Sequence, residues 1–182
     1  ARVCAATLSD FYSCVTAAIG TLRGPLHGGA NEAAMELISR FKTADEASEG
    51  VKAILARKEK IMGFGHAVYR TCDPRNAIIK EWACKLAPSA KQGDGYLFEV
   101  SAAIEKVMRE DKKLFANADF FSASSYHFMG IPTSLFTPIF VLGRVSGWSA
   151  HIMEQRSNNK LIRPGADYIG PEPRAFAPID RR

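Results

Sequence analysis

The sequence predicts an all-α fold, and three observations carry that expectation. Apolar residues recur at the spacing of a helix face through most of the chain. No stretch alternates apolar and polar residues for long enough to make a convincing strand. Glycine and proline gather between the periodic stretches, where they act as turns and stops. At 182 residues, with 47% hydrophobic and 24% charged residues, the chain is sized and composed like one globular domain, or one domain plus part of another.

Taken in order, Leu8, Phe11, Tyr12, Val15, Ile19 and Leu22 fall at helical spacing and predict an amphipathic helix over 5–22, stopped by Gly24-Pro25. The glycine-rich turn around His27 leads to a second helix opening near Asn31, with Ala34, Leu37, Ile38 and Phe41 on one face. Thr43 and Glu46 have the spacing of a capping box for a third, which carries Ala47, Val51, Ile54 and Leu55. Asp73-Pro74 reads as an N-cap followed by proline at the first helical position. That helix carries Ile78, Ile79, Trp82, Ala83 and Leu86 and ends before Pro88. Gln92-Gly93-Asp94-Gly95 is a loop; Val100, Ile104, Val107 and Met108 then mark a helix running into the charged stretch 109–113. Asn117-Ala118-Asp119 opens a short helix through Phe128, closed by Gly130 and Pro132. The apolar segment 135–153 is a long helix in which Pro138 is tolerable only near the start. From Lys160 onward, four prolines predict an extended tail lying across another surface.

Composition excludes several function classes. No apolar run reaches the roughly 18 to 20 residues that span a bilayer. No secretory leader is visible, and a helical pattern that begins almost at Ala1 suggests a natural start further upstream. The net charge of +5 is scattered, and aromatic residues are not interleaved with it, which disfavours nucleic acid as a partner. Cys4, Cys14, Cys72 and Cys84 lack C-x-x-C spacing, so free thiols in a reducing, cytoplasmic setting are expected. His, Cys and carboxylate do not cluster at metal-ligand spacing; G-x-S-x-G and the P-loop are absent.

The stretch from Lys60 to Arg75 carries the most chemistry. Gly63 and Gly65 allow positive φ and close approach of a ligand to backbone N–H groups. His66 can donate a proton near neutral pH, and Arg70 and Arg75 offer forked, permanent charge to phosphate or carboxylate. Taken by itself, the stretch fits a glycine turn with surface arginines about as well. His27, before a helix start, would be held neutral by the helix dipole and could donate to an oxyanion; it is also what a structural loop histidine looks like. Asp119 precedes two phenylalanines, whose apolar surface would raise its pKa and make it a base, or it is a plain N-cap. Arg144 lies inside an apolar run, where a buried guanidinium needs a ligand or an internal salt bridge. Arg163, just before Pro164, has a weaker signal, and His127 and His151 read as packing or surface residues.

Three motifs in order resemble the citrate synthase family: Gly24-Pro25-Leu26-His27-Gly28-Gly29-Ala30-Asn31-Glu32, then Gly63-Phe64-Gly65-His66-Ala67-Val68-Tyr69-Arg70 continued to Asp73-Pro74-Arg75, then Asn117-Ala118-Asp119-Phe120-Phe121-Ser122. The likeness continues through Met129-Gly130-Ile131-Pro132, Gly147-Trp148 and Arg163-Pro164. Within the family, Ser122-Ala123-Ser124-Ser125-Tyr126-His127 and the stretches 154–156 and 168–172 look most like the bacterial 2-methylcitrate synthases. The resemblance implies an acyltransferase that condenses propionyl-CoA, and acetyl-CoA as well, with oxaloacetate. It implies His27, His66 and Asp119 as catalytic residues and Arg75, Arg144 and Arg163 as binders of oxaloacetate, Arg163 from the other subunit of a homodimer. Ile61, Met62, Gly63, Phe64, Gly65 and Arg70 would meet CoA, and no metal or bound cofactor is required. It further implies that residues 29–138 form a small mobile domain, with 1–28 and 139–182 belonging to a large one. Family members are more than twice this length and carry a further oxaloacetate-binding histidine with no counterpart here, so the chain alone is expected to have little activity. Citrate synthase proper, and a non-catalytic helical module for CoA binding or dimerisation, are the alternatives.

Overall fold

The computed structural model describes residues 1–91 and 93–181, and among them the regular structure is helical, with one isolated antiparallel bridge between Phe64 and Ala116. The all-α expectation holds. The single helix over 5–22 does not: the chain forms α1 (Arg2–Ala6) and α2 (Phe11–Leu22) instead. Leu8 takes φ 63°, a left-handed conformation that interrupts a right-handed helix. Asp10 is extended and its carboxylate accepts from the Ser13 N–H at 3.0 Å, so α2 starts from its own cap. The buried face differs too, because Cys14, Ala18 and Leu22 are inside while Leu8, Tyr12 and Ile19 are exposed.

The remaining helices follow the sequence closely: α3 (Ala30–Ile38), α4 (Ala44–Ala56), α5 (Pro74–Leu86), α6 (Leu97–Lys112), α7 (Ala118–Phe128) and α8 (Phe136–Ser157). Thr43 caps α4 through Oγ1, which accepts from Glu46 N–H at 3.2 Å; Glu46 in turn accepts from Lys42 N–H, one residue earlier than a capping box requires. Asp73 caps α5 with Pro74 in its first turn, and Asn117 caps α7 by accepting from Asp119 N–H at 2.9 Å. Pro138 lies in the first turn of α8, where a missing N–H leaves no helical bond unmade. The expected loop is present at 93–95; Gln92 lies outside the described residues.

Two hydrophobic clusters hold these elements together. The larger draws on α3, α4, α6 and α7, with Phe120, Phe121, Phe128 and Phe136 fully enclosed. In it α7 packs against α3 and α5, and α4 against α6. The smaller joins Ala5, Cys14 and Ile152 and so binds α1 and α2 to the far part of α8. On α5 only Ala83 is buried, while Ile78 and Trp82 face outward, so its apolar stripe is largely uncovered. The chain from 159 to 178 has no helix and its side chains are exposed; the tail is extended, as expected. Among the described residues no helix is long and apolar enough to cross a membrane.

Candidate functional site

The site is organised by a short antiparallel pairing of the glycine turn with the segment before α7. Gly65 N–H donates to Phe115 C=O at 2.8 Å, and Asn117 N–H donates to Gly63 C=O at 2.9 Å. The Asn117 side chain adds a third bond, Nδ2 to Gly65 C=O at 2.9 Å. Gly63 and Gly65 have φ of 88° and 74°, the conformations expected of them. At Gly63 a Cβ would also stand 2.9 Å from Phe120 Cβ, so the turn can lie this close to α7 only without a side chain. The pairing delivers His66 from the turn and Asp119 from the first turn of α7 to the same place.

His66 has a defined tautomer. Its Nδ1 accepts from Val68 N–H at 3.0 Å and Tyr69 N–H at 3.2 Å, so the ring proton is on Nε2. Arg75 Nη2 stands 3.5 Å from that Nε2, and the Arg75 guanidinium also covers the Tyr69 ring at 5.7 Å. Arg75 is in turn held by Asp73, whose Oδ1 accepts from Nε at 2.9 Å and whose Oδ2 accepts from Nη2 at 2.8 Å. The Arg75 bond holds the Asp73 carboxyl below the ordinary carboxylate range, against the upward push of burial.

His27 is set by the turn before α3. Its N–H donates to Gly24 C=O at 2.8 Å, Gly28 N–H donates to Leu22 C=O at 2.8 Å, and Thr137 Oγ1 from the start of α8 donates to Gly28 C=O at 3.3 Å. Asp119 is not a cap, because Asn117 fills that role. Burial pushes its carboxyl above the ordinary range, opposed by His27, Arg75 and His66 and reinforced by the charge of Asp73.

His27, His66 and Asp119 line one cavity of about 720 Å³, with residues 61–65 along its wall. Leu26, Met108 and Leu114 supply apolar surface, and Lys60 and Lys112 add positive charge. Arg75 reaches the group through His66. Arg70 is exposed and does not line the cavity, and Arg163 lies in the exposed tail. Arg144 corrects the sequence reading: it is exposed, not buried, and has no salt bridge among the described residues. The apolar run around it sits on the middle of α8, which this chain leaves uncovered; Leu142 beside it is 75% exposed. His127 is also more than a packing residue, since its Nε2 pairs with Asp94. His151 is exposed, as expected of a surface histidine. Sequence reasoning missed the second duty of Asp73 and the bridging amide of Asn117. Asp73 reads as an ordinary cap and Asn117 as part of a helix opening, and only the fold brings a second partner to each. Among the described residues no three His, Cys, Asp or Glu side chains gather as a metal site.

A carboxyl with raised proton affinity facing two imidazoles can take a proton from a weak carbon acid while an N–H donor stabilises the oxygen that gains charge. The family described as citrate synthase, C-terminal domain, matches residues 1–165. This chain belongs to the citrate synthase family. Within that family it is 68% identical over 182 residues to the 2-methylcitrate synthase of Shewanella oneidensis and 52% identical to citrate synthase 2 of Bacillus subtilis. Both alignments cover 100% of this chain and 48% of the relative, so the chain spans about half the length of the curated relatives it matches. Among solved structures, the ternary complex of carboxymethyl coenzyme A and oxaloacetate with citrate synthase from Thermoplasma acidophilum aligns with a TM-score of 0.89 at 38% identity, covering 98% of this chain and 49% of that one. His27, His66 and Asp119 all lie inside the matched region of this citrate synthase family chain, and the last part of the tail lies beyond it.

Proposed function

We propose that this chain is the C-terminal half of an acyltransferase that condenses propionyl-CoA, and acetyl-CoA as well, with oxaloacetate and water to give 2-methylcitrate or citrate and free CoA. The observation that carries the reading is the meeting of His27, His66 and Asp119 on one cavity beside the 61–65 turn. Asp119 takes the α-proton of the thioester. A thioester α-proton is very weakly acidic, so the base needs help: His27 donates a hydrogen bond to the carbonyl oxygen as it becomes an enolate. One such preorganised donor contributes roughly 3 to 4 kcal/mol. The enolate carbon attacks the keto carbon of oxaloacetate, and His66 supplies its Nε2 proton to the keto oxygen as the carbon–carbon bond forms. Water then cleaves the thioester of the adduct, releasing CoA and making the reaction effectively irreversible. No metal or bound cofactor enters any of these steps.

Arg75 would grip an oxaloacetate carboxylate beside His66, joined by Arg144 and by Arg163 of a second subunit in a homodimer. Residues 61–65 and Arg70 would meet CoA. Residues 29–138 would form the small mobile domain; the larger hydrophobic cluster, which runs from Ala34 to Phe136, supports that division. The smaller cluster, joining α1 and α2 to α8, supports placing 1–28 and 139–182 together in the large domain. Four free cysteines are consistent with a cytoplasmic enzyme. Citrate synthase proper is the second reading, favoured by the 52% identity to citrate synthase 2 of Bacillus subtilis.

The test is thiol release by the full-length polypeptide, with and without oxaloacetate. Faster release from propionyl-CoA supports the first reading and faster release from acetyl-CoA the second. CoA binding without oxaloacetate-dependent release would overturn both in favour of a non-catalytic module.

A further inference from the structure

We infer that Asp73 is a positioning residue that yokes Arg75 to the helix bearing Asp119, so that one buried carboxylate sets the geometry of anion binding and of proton abstraction together. The inference rests on the proposed roles of Arg75 and Asp119.

Capping α5 requires a single bond from Asp73, the one its Oδ1 accepts from Arg75 N–H at 3.0 Å. The carboxylate does much more than that. It accepts from Arg75 Nε at 2.9 Å and Nη2 at 2.8 Å, and its Oδ2 also accepts from Ala118 N–H at 3.0 Å. Ala118 is the first residue of α7, and a first-turn N–H has no partner inside its own helix. One side chain, only 2% exposed, therefore serves the N-termini of two helices, and its negative charge suits the positive end of both. The residue after Ala118 is Asp119. The bidentate grip on Arg75 fixes one edge of a planar guanidinium and places Nη2 3.5 Å from His66 Nε2, with no hydrogen bond to Nη1 among the described residues.

A cap that merely stabilises α5 would alter activity only by loosening the fold. A positioning carboxylate leaves a second mark, on pH dependence. The charged and titratable groups that act on Asp119 are His27 before α3, His66 on the glycine turn, and Asp73 and Arg75 at the start of α5; Tyr126 lies further along α7, and Glu59, Lys60 and Lys112 line the same cavity. Of these, Asp73 pushes the Asp119 carboxyl upward, while Arg75 and both histidines draw it down. Removing the Asp73 charge therefore lowers the Asp119 pKa, and the acid limb of activity, which reports the ionised base, moves to lower pH.

The experiment is Asp73→Asn in the full-length polypeptide. Asparagine still caps α5, yet an amide nitrogen cannot accept from Ala118 N–H. Expected are a fall in kcat/KM of roughly tenfold to a hundredfold, as for a small misplacement of reacting groups, shared between a lower kcat and a higher KM for oxaloacetate. The acid limb shifts to lower pH, and amide hydrogen exchange at Ala118 and Asp119 speeds up while the C-terminal half of α7 is unchanged. If Asp73→Asn does not fold, Arg75→Gln tests the same yoke with the opposite sign. It leaves the Asp73 charge uncompensated, so the acid limb must move to higher pH. An acid limb that stays in place, or unaltered exchange at Ala118, overturns the inference while wild-type condensation leaves the proposed function intact. A wild type that performs no condensation overturns both.

Discussion

Asp119 and Asp73 are neighbours with opposite electrostatic characters, and that contrast predicts opposite effects on stability. Burial raises the folded-state pKa of Asp119 above its ordinary value of 3.8, so its charged form is disfavoured by the fold. The stability associated with it is present below 3.8 and lost as pH rises through the folded value. Asp119→Asn should thus raise the unfolding midpoint at pH 7, with the gain gone below pH 3.8, while abolishing condensation in the full-length polypeptide. Urea unfolding at the two pH values checks this, and a gain that does not depend on pH would mean that Asp119 is no desolvated base. For Asp73 the folded pKa is lowered, chiefly by Arg75, so its contribution is present above the ordinary value and disappears as pH falls through the folded one. Asp73→Asn is expected to cost about 2 kcal/mol at neutral pH, the scale of a hydrogen bond to a charged group, and almost nothing in acid. The raised pKa of Asp119 was legible from the two phenylalanines that follow it. The second partner of Asp73 was not, because nothing local in Asp73-Pro74-Arg75 announces an amide that the fold brings from the start of α7.

At the scale of elements, the glycine turn gives the sharpest prediction, because its two glycines have the same backbone conformation and different surroundings. Gly65→Ala meets only Leu114 Cδ2 at an ordinary 3.6 Å, so its cost is the left-handed backbone alone, about 1 kcal/mol. Gly63→Ala carries that cost and also drives a methyl to within 2.9 Å of Phe120 Cβ and 3.1 Å of its Cα, neither of which can rotate away. Overpacking adds about 1 to 3 kcal/mol, so Gly63→Ala should lower the urea midpoint clearly more than Gly65→Ala; equal shifts would contradict the close packing of the turn on α7. Both glycines were readable as turn residues, and the Asp73-Pro74 and Thr43 caps fell where they were expected. Helix period was less informative wherever a face has no neighbour. On α2 and α5 the apolar positions recur correctly yet lie outside, and on α1–α2 the same period ran unbroken across a cap at Asp10 that the reading passed over. Periodicity reports the wish for a partner and says nothing of which chain segment provides it.

For the molecule as a whole, the uneven covering of apolar surface bears on where the binding site is completed. The cavity has His27, His66 and Asp119 from this chain, with Arg75 beside His66 rather than on its wall, while Arg144 stands exposed among Leu142 and Val145, which are 75% and 36% exposed. An arginine that binds oxaloacetate must be held against substrate by surrounding protein, and in this chain nothing encloses that stretch of α8. Under the proposed function, the part of the longer relatives that this chain does not span would close over it. The two roles then separate cleanly by experiment. In this 182-residue chain Arg144→Ala removes an exposed side chain with no ion pair among the described residues, so the unfolding midpoint should change by no more than about 0.5 kcal/mol. In the full-length polypeptide the same substitution removes a charge-assisted bond to a carboxylate, about 1.5 to 3 kcal/mol, and the KM for oxaloacetate should rise by roughly tenfold to a hundredfold. A KM that stays within a factor of about two, well below one such bond, would remove Arg144 from the binding site and leave Arg75 and Arg163 to hold the dicarboxylate.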